Sequence, residues 1–283
     1  MTMPSRLIPL AAVLFVAACS SAPPSLQRPS TAPPEETVVK LQGFFGGIEG
    51  AFVLLDPQKN LLTIHNPSRA RKGFLPASTF KIPNTLIALE TGVADGADFG
   101  LKWDSSIAPR RDWWPSSWAK DHTLRTALAN SAVWYYQELA RRIGPARMQE
   151  YVDRFEYGNR DISGGIDTFW LTGELRISPI EQVEFLERFH SGQLGLSERT
   201  SEIARGLLVI DQGAGYRLSG KTGWASFGEP GSTRGVGWLV GYVERGDDVW
   251  FYATNIEIHS NEDAAARVPI TKSILAHFGL IDS

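Results

Sequence analysis

Apolar residues follow one another along the chain in changing patterns, and the succession divides it into blocks. Residues 7–18 form a nearly unbroken apolar run, preceded by Arg6 and closed by small residues. Such a run is too short to span a bilayer core of roughly 30 Å and has the form of an export-signal core. The next stretch, SSAPPSLQRPSTAPPEE, is rich in Ser and Pro. It cannot bury enough apolar surface to offset its ordering entropy and reads as an extended tether. The expected organisation is a signal over 1–18, a tether over 19–37 and a folded part over 38–283.

Two short β-type runs open the folded part, at 51–55 and 61–65. The turn formers Asp56-Pro57-Gln58-Lys59-Asn60 between them predict a hairpin. From Ser78 to about Gln212 the spacing becomes helical, over 82–89, 123–143, 145–155 and 179–190. Gly92, Gly144 and Gly192 stand at the expected helix ends. Three β-type runs follow, at 216–222, 236–243 and 249–256, the last two joined by a turn over 244–248; a helix over 262–278 closes the chain. Strands at both ends with helices between them predict an α+β fold. An antiparallel sheet built from both chain ends would pack beside a mostly helical region, with the active site at the seam. No internal repeat is visible.

Composition narrows the chemistry. The chain is 43% hydrophobic and 21% charged, enough for a sizeable core, and 28 Lys+Arg against 31 Asp+Glu give a net charge of -3. With no basic excess, nucleic acid is not the expected partner. A single Cys excludes an intramolecular disulfide, a Cys-based zinc cluster and a redox pair, and the five His are too scattered for a metal motif, so no metal is expected. Nine Trp residues suggest stacking surfaces or aromatic pockets. The lone cysteine ends the run Val16-Ala17-Ala18-Cys19. This resembles the lipobox of bacterial lipoproteins, where the Cys thiol is diacylated and becomes the mature N-terminus. The resemblance implies membrane attachment through a lipid on Cys19, and Ser20 rather than Asp after it points to a periplasm-facing outer-membrane lipoprotein. Ordinary cleavage, giving a soluble periplasmic protein, is the alternative.

Three short motifs carry candidate chemistry. In Ser78-Thr79-Phe80-Lys81, a helix starting at Ser78 would put Lys81 on the same face, where a buried amine of lowered pKa can act as base for the hydroxyl. From this motif alone, a helix N-cap is the stronger reading of Ser78. A second Ser-x-x-Lys, Ser117-Trp118-Ala119-Lys120, follows Pro115 and looks like a surface turn. Ser131-Ala132-Val133, within the 123–143 helical segment, offers a hydroxyl for proton relay or a satisfied core Ser. Lys221-Thr222-Gly223 falls at a strand end, where Lys221 and Thr222 could meet a substrate carboxylate and Gly223 could admit a ligand to the backbone; an exposed strand-end Lys is the plain reading.

In this order the three motifs resemble the serine β-lactamase and penicillin-binding superfamily. The further segments Tyr157-Gly158-Asn159, Gly165-Ile166-Asp167 and Phe169-Trp170-Leu171, with Trp224 after Gly223, are similar to the class D (oxacillinase-type) branch. Val133 stands where class A enzymes and most penicillin-binding proteins have Asn, and no class A Glu-x-x-x-Asn segment follows Tyr157. The resemblance implies hydrolysis of β-lactam antibiotics, and so antibiotic resistance. Ser78 is then the nucleophile, and Lys81 a general base N-carboxylated by carbon dioxide, with no separate cofactor. Val133, Tyr136, Trp170 and Leu171 would wall the carbamate, and Trp170 would bond it through the indole N–H. Ser131 would pass a proton to the lactam nitrogen, with Lys221 in the same catalytic set. The backbone N–H groups of Ser78 and Trp224 would form the oxyanion hole. Lys221, Thr222 and Arg267 would hold the substrate carboxylate; a solvated helix-start Arg is the plain reading of Arg267. The glycine-rich 225–235 loop would tune substrate choice.

Three rival readings share parts of the pattern. A β-lactam sensor or penicillin-binding protein would become acylated at Ser78 and stay so. A structural outer-membrane lipoprotein would carry a degenerate site, whereas Ser78, Lys81 and Lys221 are all present. A Ser–Lys peptidase or esterase would use the same pair on another carbonyl.

Overall fold

The computed structural model describes residues 32–226 and 234–282. The export signal, Cys19, most of the tether and most of the 225–235 loop lie outside them. Three strands open the described chain: β1 (Glu35–Val38), β2 (Gly50–Asp56) and β3 (Leu61–His65). A block of short elements follows: α1 (Pro67–Ala70), α2 (Lys81–Glu90), β4 (Gly100–Leu101), β5 (His122–Thr123), α3 (Leu124–Asn130), α4 (Val133–Ile143), α5 (Pro145–Arg154), α6 (Pro179–His190) and α7 (Glu198–Leu208). Then come β6 (Val209–Gly213), β7 (Tyr216–Ser226), β8 (Gly235–Arg245) and β9 (Asp248–Ile258), and α8 (Asn261–His277) ends the chain.

Seven strands form one sheet in the order β1-β3-β2-β9-β8-β7-β6. Every neighbouring pair is antiparallel except β1, which lies parallel to β3. The sheet joins the two chain ends at its centre, where Gly50–Leu55 pair with Phe251–Ile256. This is the expected α+β architecture. Helices cover both faces. Ala51, Val53 and Leu55 of β2 enter the core shared with the helical block, and Phe52 and Leu54 enter a second core beneath α8. Burial on both sides explains why β2 reads as a continuous apolar run.

The chain departs from the expected elements at four places. Glu35, Glu36 and Thr37, assigned to the tether, pair with Leu61, Leu62 and Thr63, so the ordered structure starts before residue 38. The expected strand 216–222 continues to Ser226, which puts Lys221-Thr222-Gly223 in mid-strand. The segment 123–143 is two helices, because Ser131 adopts a left-handed conformation (φ 56°) and Ala132 is extended. Its apolar spacing runs through the break, so periodicity alone does not disclose it. Between residues 190 and 216, α7 and the edge strand β6 carry no strong pattern and were not anticipated.

The segment from Tyr157 to Ile177 is docked by polar contacts rather than by regular structure. Asn159 binds it at three points: its N–H donates to Arg176 O (2.9 Å), its Oδ1 accepts from Arg176 N (2.9 Å), and its Nδ2 donates to Glu174 O (2.8 Å). Gln137 Nε2 donates to Asp167 O (3.0 Å), and Arg141 pairs with the Asp167 carboxylate at 2.5 Å. Tyr157-Gly158-Asn159 is therefore the clasp of a loop. Gly158 (φ +56°) is confined by it, since a Cβ there would lie 2.0 Å from Arg176 O. Gly158→Ala combines left-handed strain with a backbone collision and should lower stability by about 3 kcal/mol. Thermal or denaturant unfolding checks this, and a loss below ~1 kcal/mol would contradict the clasp.

Candidate active site

The segment entering Ser78 is held from three directions. Phe74 exchanges both backbone hydrogen bonds with Ile177 (2.9 Å each). Trp238 of β8 donates its indole N–H to Leu75 O (2.9 Å), and Ala77 N–H donates to Trp170 O (3.0 Å). Ala77 is left-handed (φ 50°), unusual for a residue with a Cβ and costing on the order of 1 kcal/mol, so the neighbours must hold it there. Ser78 sits in the 3-10 turn Ala77–Phe80, whose N-cap is Pro76, and α2 starts only at Lys81. Ser78 is thus not a helix N-cap.

Its half-buried hydroxyl instead accepts a hydrogen bond from Lys81 Nζ at 2.6 Å. Lys81 has no exposed surface. Its Nζ lies 5.4 Å from the Tyr136 ring centroid, while Phe80, preceding it, stacks on Trp170 at 5.5 Å. Burial, and secondarily the charge of Lys221, hold the Lys81 amine well below the usual lysine range. Trp170 is also fully buried, and its Nε1 finds no hydrogen-bond partner among the described residues. An unpaired donor in such a place is costly unless another group meets it. Val133 and Leu171, half-buried, pack on the same core.

The sheet meets this turn through β7. A Cβ on Gly223 would lie 3.0 Å from Pro76 O and 3.0 Å from Thr79 Cγ2. Gly223 was expected to admit a ligand; on this side the space is taken by the Ser78 turn, and the missing side chain lets the two elements close. Lys221 is 5% exposed, not the strand-end surface lysine of the plain reading. Its Nζ donates to Thr222 O at 3.1 Å, and burial first, then the Arg267 charge, lower its pKa to about 7.

Arg267 reaches the same strand from α8. A Cβ on Gly237 would lie 2.7 Å from Arg267 Cδ, so this glycine opens the path across β8. The guanidinium donates to Gly223 O and Ala264 O and lies 5.9 Å from the ring of Trp224, which is 36% exposed. Burial lowers its pKa to about 10, and the solvated helix-start reading is set aside.

Ser131, Val133, Thr222 and Leu171 are half-buried. The Ser131 hydroxyl makes no hydrogen bond to Ser78, Lys81 or Lys221 among those described. Its left-handed backbone ends α3, with Ala132 N–H donating to Ala127 O at 2.9 Å, so Ser131 is not the core serine of an unbroken helix. The turn holding Ser117 is less superficial than expected, because Trp118 is buried and donates its indole N–H to Asn130 O (2.8 Å), next to Ser131. Cys19 lies outside the described residues.

Sequence reading missed several supports. Asn84, fully buried, donates to Tyr136 O (3.2 Å) and ties α2 to α4. Trp238 anchors Leu75, and Gln182 reaches Thr79, neither of which is in the proposed catalytic set. Asn84 had a signal, a polar residue in the apolar run of α2; Trp238 and Gln182 look like ordinary members of their elements.

Comparison with known proteins agrees with this geometry. The family model for the penicillin binding protein transpeptidase domain matches residues 50–276. β-Lactamase OXA-48 of Klebsiella pneumoniae is 42% identical over 227 residues, covering 80% of this chain and 82% of that protein. Among solved structures, a class D β-lactamase, YbXI from Nostoc, superposes with TM-score 0.80 at 42% identity, covering 86% of this chain and all of that one. The C-terminal domain of the Bacillus licheniformis BlaR penicillin-receptor gives TM-score 0.82 at 30% identity, over 88% of this chain and 99% of that domain.

The Lys221–Arg267 contact is open to titration. With its pKa near 7, Lys221 is a cation below that pH and neutral above it. Arg267→Ala removes a neighbouring positive charge, so Lys221 should hold its proton to higher pH. NMR titration of labelled lysine side chains in the two proteins reads the shift. An unchanged or lower Lys221 titration would contradict the placement.

Proposed function

The chain belongs to the penicillin-binding-protein transpeptidase family and is a class D β-lactamase within it, and on that premise we propose how its residues open the β-lactam ring. One observation supports the reading above the others: Lys81 Nζ lies 2.6 Å from Ser78 Oγ while wholly buried. An amine kept neutral by burial can take a proton from a hydroxyl, which an ordinary lysine at neutral pH cannot.

Ser78 Oγ attacks the lactam carbonyl as its proton leaves towards Lys81. The backbone N–H groups of Ser78 and Trp224 receive the developing oxyanion. The carbon–nitrogen bond breaks as the Ser131 hydroxyl hands a proton to the ring nitrogen and takes back the one that Lys81 received, leaving an acyl ester on Ser78 and Lys81 again neutral. Water then adds to that ester and frees the open-ring acid and Ser78. Lys221, Thr222 and Arg267 hold the substrate carboxylate throughout, with Arg267 a cation at every working pH.

Carbon dioxide is the one additional group the family implies, and the residues fit it. They offer a buried amine whose charged form burial disfavours, the Tyr136 ring 5.4 Å from it, and the buried, unpartnered Nε1 of Trp170, with Val133 and Leu171 on the same apolar core. Bound to Lys81 as a carbamate, it would supply a carboxylate-type general base for acylation and deacylation.

The likeness to a penicillin-receptor domain keeps one alternative in view: a chain acylated once and not released. Steady-state hydrolysis of a chromogenic cephalosporin separates them, since a single stoichiometric burst would overturn the enzyme reading. Ser78→Ala should abolish hydrolysis. Carbon dioxide-free buffer should lower the wild-type rate and bicarbonate restore it. Trp170→Phe, which keeps the ring and removes the N–H, should need more bicarbonate; identical rates with and without it in both proteins would count against the carbamate. We also infer export and attachment through a lipid on Cys19, so Cys19→Ala should move the protein from the membrane fraction to the soluble periplasm. Unchanged membrane association would refute that.

A further inference from the structure

The nucleophile turn carries a support that the proposed catalytic set does not use. Gln182, 1% exposed, lies in the first turn of α6. Its Nε2 donates to Thr79 Oγ1 at 2.9 Å and to Tyr157 OH at 3.3 Å, so both amide protons have acceptors. Thr79 is the residue after Ser78, and its Oγ1 donates to Pro76 O at 2.7 Å. With its single proton committed to Pro76, the Thr79 hydroxyl can only accept from Gln182. The direction of the chain is therefore fixed: Gln182 N–H to Thr79 O–H to Pro76 C=O.

That chain is placed where it matters. Pro76 O also accepts Thr79 N–H (3.1 Å), closing the 3-10 turn around left-handed Ala77 and Ser78. It is one of the atoms nearest the missing Cβ of Gly223, so it sets the distance between turn and sheet. The start of α6 is itself immobilised. Ser178 and Glu181 form a reciprocal capping box, and Ile177 pairs with Phe74 at the entrance to the turn. At the other end, Tyr157 is fully buried between Phe80 and Phe185, edge to face with both (5.6 and 5.0 Å). The amide of Gln182 thus links three fixed points to one strained turn. Linked bonds of this kind in a dry interior polarise and strengthen one another.

We propose that Gln182 is a positioning residue for the nucleophile: through Thr79 it holds the Pro76–Phe80 turn in the conformation that aims Ser78 Oγ at Lys81. The inference rests on Ser78 being the acylated residue. Gln182 touches no substrate. Its loss acts on the geometry of attack, so it should slow acylation more than it weakens the initial encounter with substrate.

The test uses the full chain with four variants: Gln182→Leu, Thr79→Val, Thr79→Ser and the double variant Gln182→Leu/Thr79→Val. Acylation by a slowly released β-lactam is followed by rapid-quench intact mass, which separates the acylation rate constant from the apparent binding constant. Melting temperature is recorded beside it, and all rates are measured well below the lowest melting point. Gln182→Leu and Thr79→Val should each lower the acylation rate constant about ten-fold while changing the binding constant less than about two-fold. Thr79→Ser, which keeps the hydroxyl, should recover most of the rate lost in Thr79→Val. The double variant should be no slower than the slower single variant, because both break the same chain. The proposal is overturned if folded Gln182→Leu and Thr79→Val acylate within two-fold of wild type, if Thr79→Ser is as slow as Thr79→Val, or if the two losses multiply. A merely structural role would lower the melting temperature and leave the rate constant of the folded protein unchanged. If the wild-type chain gains no mass at Ser78, it is the reading of the site that fails.

Discussion

Lys81 brings a primary amine into a volume with no exposed surface, and the nearest charge acting on it is another cation, Lys221. Burial disfavours the protonated form of a lysine placed this way, since an ammonium stripped of water and given no anion is costly. The rest of the site follows from that requirement. The ring of Tyr136 lies 5.4 Å from the amine, and Phe80, its neighbour in sequence, stacks on Trp170. The backbone around them has to be immobile, because a water that entered would restore the charge. Ser78, one 3-10 turn earlier, has as its hydrogen-bond partner a lysine whose charge burial disfavours.

Sealing such a pocket takes elements far apart in sequence. The turn at Ser78 lies against β7 where Gly223 has no side chain, and Arg267 crosses β8 where Gly237 has none. These elements are thus brought together by two absences on adjacent strands, at positions where ordinary residues would force the layers apart. Burial is graded across it, with Lys81 and Lys221 enclosed and Arg267 only partly so.

Much of this could be read from the chain alone, and the parts that could not have identifiable causes. The α6 segment Pro179–His190 and the hairpin across 244–248 carry strong local patterns, and they form where expected. Ser78, Lys81 and Lys221 stood out through the order of three motifs, no one of which is informative by itself. The break at Ser131 was hidden because the apolar spacing continues through it and a single left-handed residue leaves no compositional trace. Strand β1 was hidden by its composition, Glu-Glu-Thr-Val, which resembles the polar segment before it; only pairing with β3 makes it a strand. Gln182 and Trp238 were hidden for another reason. Each is unremarkable in its own element and gains meaning from a partner more than a hundred positions away.

The central pairing of the sheet, Gly50–Leu55 with Phe251–Ile256, has a consequence for how the molecule comes into being. A strand from the start of the folded chain waits for one near its end, and the loop between them must close before either is buried on both edges. Arg267 comes later still. A chain synthesised from its N-terminus therefore makes the central partner of β2 late. Ser78 and Lys81 come early in the order of synthesis, whereas β7, whose Gly223 lies against the Ser78 turn, and Arg267 come near its end. A truncation that takes away β9 takes with it the central partner of β2 and Arg267 on α8.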